Sequence, residues 1–195
     1  MAQSEPACFP PESGAGEYSP EERRVLLDLA HRSIDAMLRG ERVEAVAPNP
    51  HLAEPRGAFT TLHLHGRLRG CIGYVVPVLP LINTIMETAA AAAFEDPRFD
   101  PVTSEEASAL KIEISVLTVP ALIEAQQVEV GRHGLIVAQH GRRGLLLPQV
   151  PLEYGWDRET FLAQTCIKAG LPADAWQHGA KLEAFAAEVF SDSAS

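Results

Sequence analysis

Apolar and polar positions follow two rhythms along this chain, and the change from one to the other marks its elements. Val25, Leu26, Leu29, Ile34, Met37 and Leu38 recur at helical spacing. Ser19-Pro20-Glu21-Glu22 precedes them as a capping box with proline at the first helical position, and Gly40 is the expected stop. Prolines 48, 50 and 55 make residues 45–57 an irregular connection. Residues 58–74 read as two strands joined by a tight turn at His65-Gly66. A second helix is predicted over about 80–94, and its Ala89–Ala93 run allows close packing on a sheet. Asp96-Pro97 ends it, and Thr103 with Glu106 opens a short helix to about Leu110.

Lys111 to Thr118 then alternates, with Ile112, Ile114 and Val116 on one face. Two apolar runs, 135–137 and 145–147, flank a basic tip at His140–Gly144 and read as a hairpin. Asp157 caps a helix to Ala169, with Gly170 as its stop, and Trp176 follows as an aromatic plug. Lys181 to Phe190 has the composition of one final strand. Hairpins outnumber parallel crossovers, so the fold class is α+β, with a mostly antiparallel sheet flanked by helices. Residues 1–17, rich in Pro, Gly, Ser and Glu, read as a disordered tail, leaving 18–191 as the folded domain.

Composition narrows the function. The chain has 195 residues, 46% of them hydrophobic, enough for one good-sized core or two small lobes. A net charge of −10 and the lack of a basic stripe argue against nucleic acid or an anionic membrane as a partner. Cysteines at 8, 71 and 166 have no zinc-like spacing and do not suggest a disulfide framework, which points to a reducing, cytoplasmic setting. Cys8 lies in the tail, and Cys166 sits on an apolar helix face. No apolar run approaches a membrane span, and the N-terminus lacks the features of a secretory signal.

The candidate chemistry gathers at Leu68-Arg69-Gly70-Cys71-Ile72-Gly73. Strand alternation places Arg67, Arg69 and Cys71 on one face, with Leu68 and Ile72 on the core side. Nearby cations favour thiolate, the reactive form of cysteine. Gly70 and Gly73 remove side chains on both sides of Cys71 and permit a bulge or close approach of a ligand. A buried cysteine acting as a small hydrophobe is the alternative, and a bulge at Gly70 would reverse the face assignment. His63 and His65 form an H-x-H pair, but alternation puts them on the face opposite Cys71, so neither a metal nor a cofactor is expected.

The LRGCIG hexapeptide resembles the signature of the AMMECR-type domain, the AMME chromosomal region gene 1 protein family. The likeness extends over about residues 19–190. It includes Ala93–Phe99, Ile112–Thr118, Gly131–Leu135, Gly144–Val150, Glu153, Trp156 and the helix end at Cys166–Leu171. It implies an α+β fold with a larger and a smaller lobe, but no established reaction. It also implies genomic company with a Memo-type dioxygenase-like protein and a radical SAM protein, as in the AmmeMemoRadiSam systems. Four residues of these blocks could join Cys71: His133 as a base for the thiol, Glu153 as its orienter or an acid, Arg98 as a bidentate ligand for a carboxylate or phosphate, with an ion pair to Asp96 or Asp100 as the favoured alternative, and Trp156 as a platform, with packing as its favoured alternative. With Arg69, Gly70 and Gly73 they outline a site for a small anionic metabolite. Two functions stand open: an enzyme or enzyme component centred on Cys71, and a non-catalytic module that uses the hexapeptide as a rigid turn. Oligomeric state is not legible.

Overall fold

The computed structural model describes residues 16–192. They divide into two compact units, residues 16–117 with 188–192, and residues 118–187. The expected tail, Cys8 included, lies outside the described residues apart from Gly16 and Glu17. The Glu17 carboxylate accepts a hydrogen bond from Arg56 Nη2 at 2.6 Å.

In the larger unit, α1 (Pro20–Leu38) opens with the expected reciprocal cap. The Glu22 N–H donates to Ser19 Oγ, and the Ser19 N–H donates to the Glu22 carboxylate. β1 (Ala58–Leu64) and β2 (Arg67–Tyr74) form an antiparallel hairpin. Its two-residue turn holds His65 at φ 51° and Gly66 at φ 75°, the left-handed pair such turns need. β3 (Leu110–Leu117) pairs with the other edge of β1, and β8 (Ala187–Ser191) lies beyond it, giving the order β2-β1-β3-β8.

One face of this sheet is apolar. Ala58, Leu62, Ile112 and Ile114 are fully buried there, with Leu26 and Ile34 of α1 and Leu81, Ile85 and Ala92 of α2 (Leu81–Phe94) in the same core. Thr60 is buried on that face too and shares a 2.8 Å hydrogen bond with Thr88 of α2. The alanines of α2 have so little bulk that strand and helix backbones nearly touch. α3 (Ser104–Ala107) carries the second expected capping box, between Thr103 and Glu106.

In the smaller unit a second antiparallel sheet has the order β4-β7-β5-β6. Its strands are β4 (Ala121–Leu122), β5 (Gly134–Gln139), β6 (Arg142–Leu146) and β7 (Lys181–Phe185). The β5–β6 turn is tighter than the expected five-residue tip: His140 and Gly141 alone make it, both at positive φ. α4 (Val150–Glu153) is a single turn that the sequence pattern did not announce. α5 (Arg158–Lys168) is capped by Asp157, which accepts from the Thr160 N–H at 2.8 Å. Its Phe161, Leu162 and Cys166 join Leu135, Val137, Leu182 and Ala184 in a separate core. Burial pushes the Cys166 thiol up.

The fold is α+β, with two four-stranded antiparallel sheets and helices. One strand assignment is corrected. Residues 181–190 form two strands in different sheets, β7 and β8, and not one. Thr118 interrupts them at Ala186: its N–H donates to the Ala186 carbonyl, and its Oγ1 accepts from the Ala186 N–H. Both segments are apolar enough for strands, so composition alone runs them together.

Candidate functional site

Pairing of β1 with β2 decides what surrounds Cys71. Leu62 lies opposite Gly70, but His63 lies opposite Leu68, so Arg69 is an extra residue in β2. This bulge reverses part of the expected alternation. Cys71 pairs with Thr61 on the face away from α2. Arg67 pairs with Leu64 and falls in register with the opposite face, so the expected row of Arg67, Arg69 and Cys71 does not form. Leu68, expected in the core, is 43% exposed, whereas Ile72 packs against the core as expected.

The bulge also brings His63 onto the same sheet face as Cys71, where alternation had separated them. His65 sits in the turn at positive φ, so the H-x-H pair is not a strand-face pair. Among the described residues no group of three or more His, Cys, Asp or Glu side chains gathers where it could hold one metal ion.

Cys71 is partly buried. Thr61 Oγ1 donates a hydrogen bond to its sulfur at 3.2 Å. Its backbone N–H donates to Asp96 Oδ2 at 2.9 Å. Asp96 follows the end of α2, and its side chain is only 2% exposed. It also accepts from the Arg98 backbone N–H at 3.1 Å, from Arg98 Nε at 2.9 Å and from Arg98 Nη2 at 2.7 Å. The Arg98 guanidinium holds the Asp96 carboxyl well below the usual carboxylate range, against the opposing effect of burial. Arg98 Nη2 further approaches the Cys71 carbonyl at 3.4 Å. The cation tied to Cys71 is therefore Arg98.

Arg69 is committed elsewhere. Its Nε and Nη2 donate to the two Glu106 oxygens at 3.0 and 2.9 Å. Arg69 in turn holds the Glu106 carboxyl down at about 2. The Phe99 ring lies under both guanidinium groups, 5.9 Å from Arg69 and 5.5 Å from Arg98. Arg69 and Arg98 thus build one frame around the Pro97-Arg98-Phe99 turn.

The two glycines are filled by the chain itself. A Cβ on Gly70 would stand 2.1 Å from the Ala92 carbonyl oxygen. One on Gly73 would stand 2.3 Å from the Phe59 ring. Gly70 lets β2 meet α2, and Gly73 gives Phe59 its place.

His133, Glu153 and Trp156 belong to the smaller unit. His133 is 2% exposed, its Nδ1 accepts from the Glu129 N–H at 3.1 Å, and burial pushes its pKa down. A neutral imidazole bonded in this way carries its proton on Nε2. His133 borders a groove of about 1250 Å³ whose walls include Glu124, Glu129, Arg132 and Trp176. Glu153 ends α4 and is exposed. Trp156 stacks on Tyr154 with ring centroids 5.0 Å apart. Within its own unit Cys71 is contacted by Thr61, Asp96 and Arg98, with Arg69 and Phe99 in support.

Thr61 and Asp96 escape a reading of sequence alone. Thr61 can be placed opposite Cys71 only by counting across the turn and past the bulge. Asp96 could be foreseen as a salt-bridge partner of Arg98, but not as the acceptor for Cys71.

This arrangement defines a class first: an α+β protein of two antiparallel sheets, with a partly buried cysteine on the face of a bulged hairpin turned away from α2. The AMMECR1 family model matches residues 27–190, and the chain belongs to that family. It is 43% identical over 182 residues to "Protein MJ0810" of Methanocaldococcus jannaschii, a match covering 88% of this chain and 90% of that protein. It is 46% identical over 182 residues to "Protein PF1979" of Pyrococcus furiosus, covering 86% of each. The crystal structure of "Uncharacterized Protein PH0010" from Pyrococcus horikoshii superimposes with a TM-score of 0.72 at 44% identity, over 86% of this chain and 90% of that one.

Proposed function

We propose that Cys71 is the centre of a small-molecule site, with its sulfur as the reacting atom. The hydrogen bond from Thr61 to Sγ carries this reading. A hydroxyl aimed at sulfur holds the side chain in one place as a polar group, not as a packed hydrophobe, with the sulfur set to react. Partial burial, a rigid hairpin and the clamped Arg98 turn supply a fixed setting. The role of base passes to solvent. His133 already uses its Nδ1 lone pair on the Glu129 N–H, and the Glu153 carboxylate is exposed, with no side-chain bond among the described residues. Joint action with a Memo-type protein and a radical SAM protein is carried over from the family resemblance, and completes the proposal.

The test is alkylation of the native full chain by iodoacetamide near neutral pH, resolved by peptide mass. Cys71 is expected to label in the folded protein faster than a free thiol, and Cys166 only after unfolding. Thr61→Val slows Cys71 labelling, and Thr61→Ser restores it. Labelling of Cys71 only after unfolding overturns the proposal.

The close packing at Gly70 favours a second reading, in which the hexapeptide is structural and the protein is a non-catalytic binding module. Under it, Cys71→Ser lowers the melting temperature substantially. Under the first, the melting temperature stays nearly unchanged while thiol chemistry is lost.

A further inference from the structure

We infer that the ligand of the Cys71 site bears a carboxylate, seated on the free Nη1 corner of Arg98. The inference rests on the reading of Cys71 as the reacting thiol, and it goes further by assigning the ligand's charge and the group that meets it. The observation is the way in which the Arg98 guanidinium is divided. Nε and one Nη2 hydrogen are taken by Asp96, and the second Nη2 hydrogen points to the Cys71 carbonyl. Nη1, with both of its hydrogens, has no acceptor among the described residues, although the side chain is 54% exposed. One edge is fixed by a buried carboxylate and the remaining corner faces water.

Three physical points make this an anion seat rather than a surface arginine. Asp96 is buried and holds the guanidinium through two bonds, so the open corner needs little ordering when a ligand arrives. Phe99 under the guanidinium face restricts it further. The clamp also runs through the backbone of Cys71 itself: Asp96 takes the Cys71 N–H, and Arg98 meets the Cys71 carbonyl. The anion seat is therefore tied to the backbone of the residue that carries the sulfur.

The charge balance selects among anions. Asp96 already offsets much of the Arg98 charge, and the second arginine of the turn, Arg69, is paired with Glu106. The protein as a whole is strongly acidic. A single open corner on a half-neutralised guanidinium suits a singly charged, planar carboxylate. A phosphate dianion would need more positive charge than is left. Asp96 acts here as a positioning residue, because it touches Arg98 and Cys71 and not the ligand.

The test uses two alkylating probes of nearly the same size, iodoacetate and iodoacetamide. With each, Sγ forms a bond to the CH₂ carbon and iodide leaves. The two differ only in the carboxylate or amide, so their rate ratio at Cys71 does not depend on how much of the thiol is ionised. The ratio of iodoacetate to iodoacetamide rates is measured on the full chain and on N-acetylcysteine. At Cys71 it is expected to exceed the free-thiol ratio by about tenfold, the scale of one charge-assisted hydrogen bond. Arg98→Gln returns it to the free-thiol ratio, and Arg98→Lys retains part of the gain.

A ratio at wild-type Cys71 equal to that of the free thiol overturns the carboxylate assignment, whatever the variants do. It leaves the reactive thiol standing if iodoacetamide labels fast. A raised ratio that survives in a folded Arg98→Gln protein also overturns it. If Cys71 resists both reagents, the reactive-thiol reading fails and this inference fails with it.

Discussion

Substituting alanine for Gly70 shows whether the hexapeptide's first glycine serves the fold or a guest. The new methyl group would lie 2.1 Å from the carbonyl oxygen of Ala92 and 3.0 Å from its carbon, both backbone atoms of α2. Ordinary contact requires β2 and α2 to part by about 1 Å. Neither can yield alone, since β2 is hydrogen-bonded to β1 and α2 is anchored by Ile85, Ala89 and Ala92 in the core. Overpacking of this kind costs about 1–3 kcal/mol. Alanine's smaller freedom in the unfolded chain offsets about 0.4–1 kcal/mol. A net loss of about 1–2 kcal/mol is expected, or a fall of about 2–8 °C in melting temperature. Urea unfolding followed by circular dichroism measures it, with the iodoacetamide rate at Cys71 as the second readout. An unmoved urea midpoint together with abolished Cys71 labelling would refute the packing account and return Gly70 to the ligand.

Other outcomes follow from the same contacts. Asp96→Ala leaves the Cys71 N–H and the inner edge of Arg98 without their acceptor and should cost about 3 kcal/mol by urea unfolding; a loss below about 0.5 kcal/mol, the level of an ordinary surface change, would mean that Asp96 is not the anchor described. At Glu22 burial works against the charge, but the Ser19 N–H and the His51 bond prevail and hold its pKa down at about 2. Glu106 is held at the same level by Arg69. Both pKa values are depressed on folding, so their stabilisation is complete above about pH 4.5 and is lost as pH falls toward 2. His51 has the opposite sign: despite burial, its bonds to Glu22 and Glu17 raise its pKa. Its contribution is complete below about pH 6.5 and fades as pH rises through the folded value, so His51→Gln should flatten the alkaline side of a stability–pH curve. Ser19→Ala removes the cap of α1 and should cost about 1 kcal/mol in the same unfolding assay; no measurable change would show that the neighbouring Glu22 contacts hold the helix end without it.

Much of the fold was legible because local chemistry and tertiary packing agree. Ser19 and Thr103 are caps in sequence and in structure, His65-Gly66 makes the turn its residues require, and β3 buries the apolar face that its alternation marks. The site was only half legible, for two reasons, the first being the bulge. Alternation has a period of two, and a single added residue, Arg69, inverts everything on one side of it. Nothing in Arg67 to Gly73 fixes where the extra residue falls; that is set by the contact of Gly70 with Ala92 and by the pairing of Arg69 with Glu106, both distant in sequence. Arg98 could be named because a guanidinium in a turn advertises itself. Its clamp could not, because a buried aspartate looks like any other aspartate until the chain is folded. The break at Ala186 stayed hidden because hydrophobic content says that a segment is a strand, but not which sheet receives it.

The route of the chain has a consequence for synthesis. β3 and β8 are neighbours in one sheet, yet the whole smaller unit is made between them. On the ribosome, three strands and both long helices of the larger unit emerge early and must wait with one edge of β3 open. The missing strand arrives only after some seventy further residues have been translated. Early collapse of the inserted unit, with Thr118 and Ala186 bonded at its base, brings the two ends of the insert together and shortens the search for that edge. Slow folding of the insert would leave a strand edge exposed, and the chain would then be most prone to aggregate at that stage.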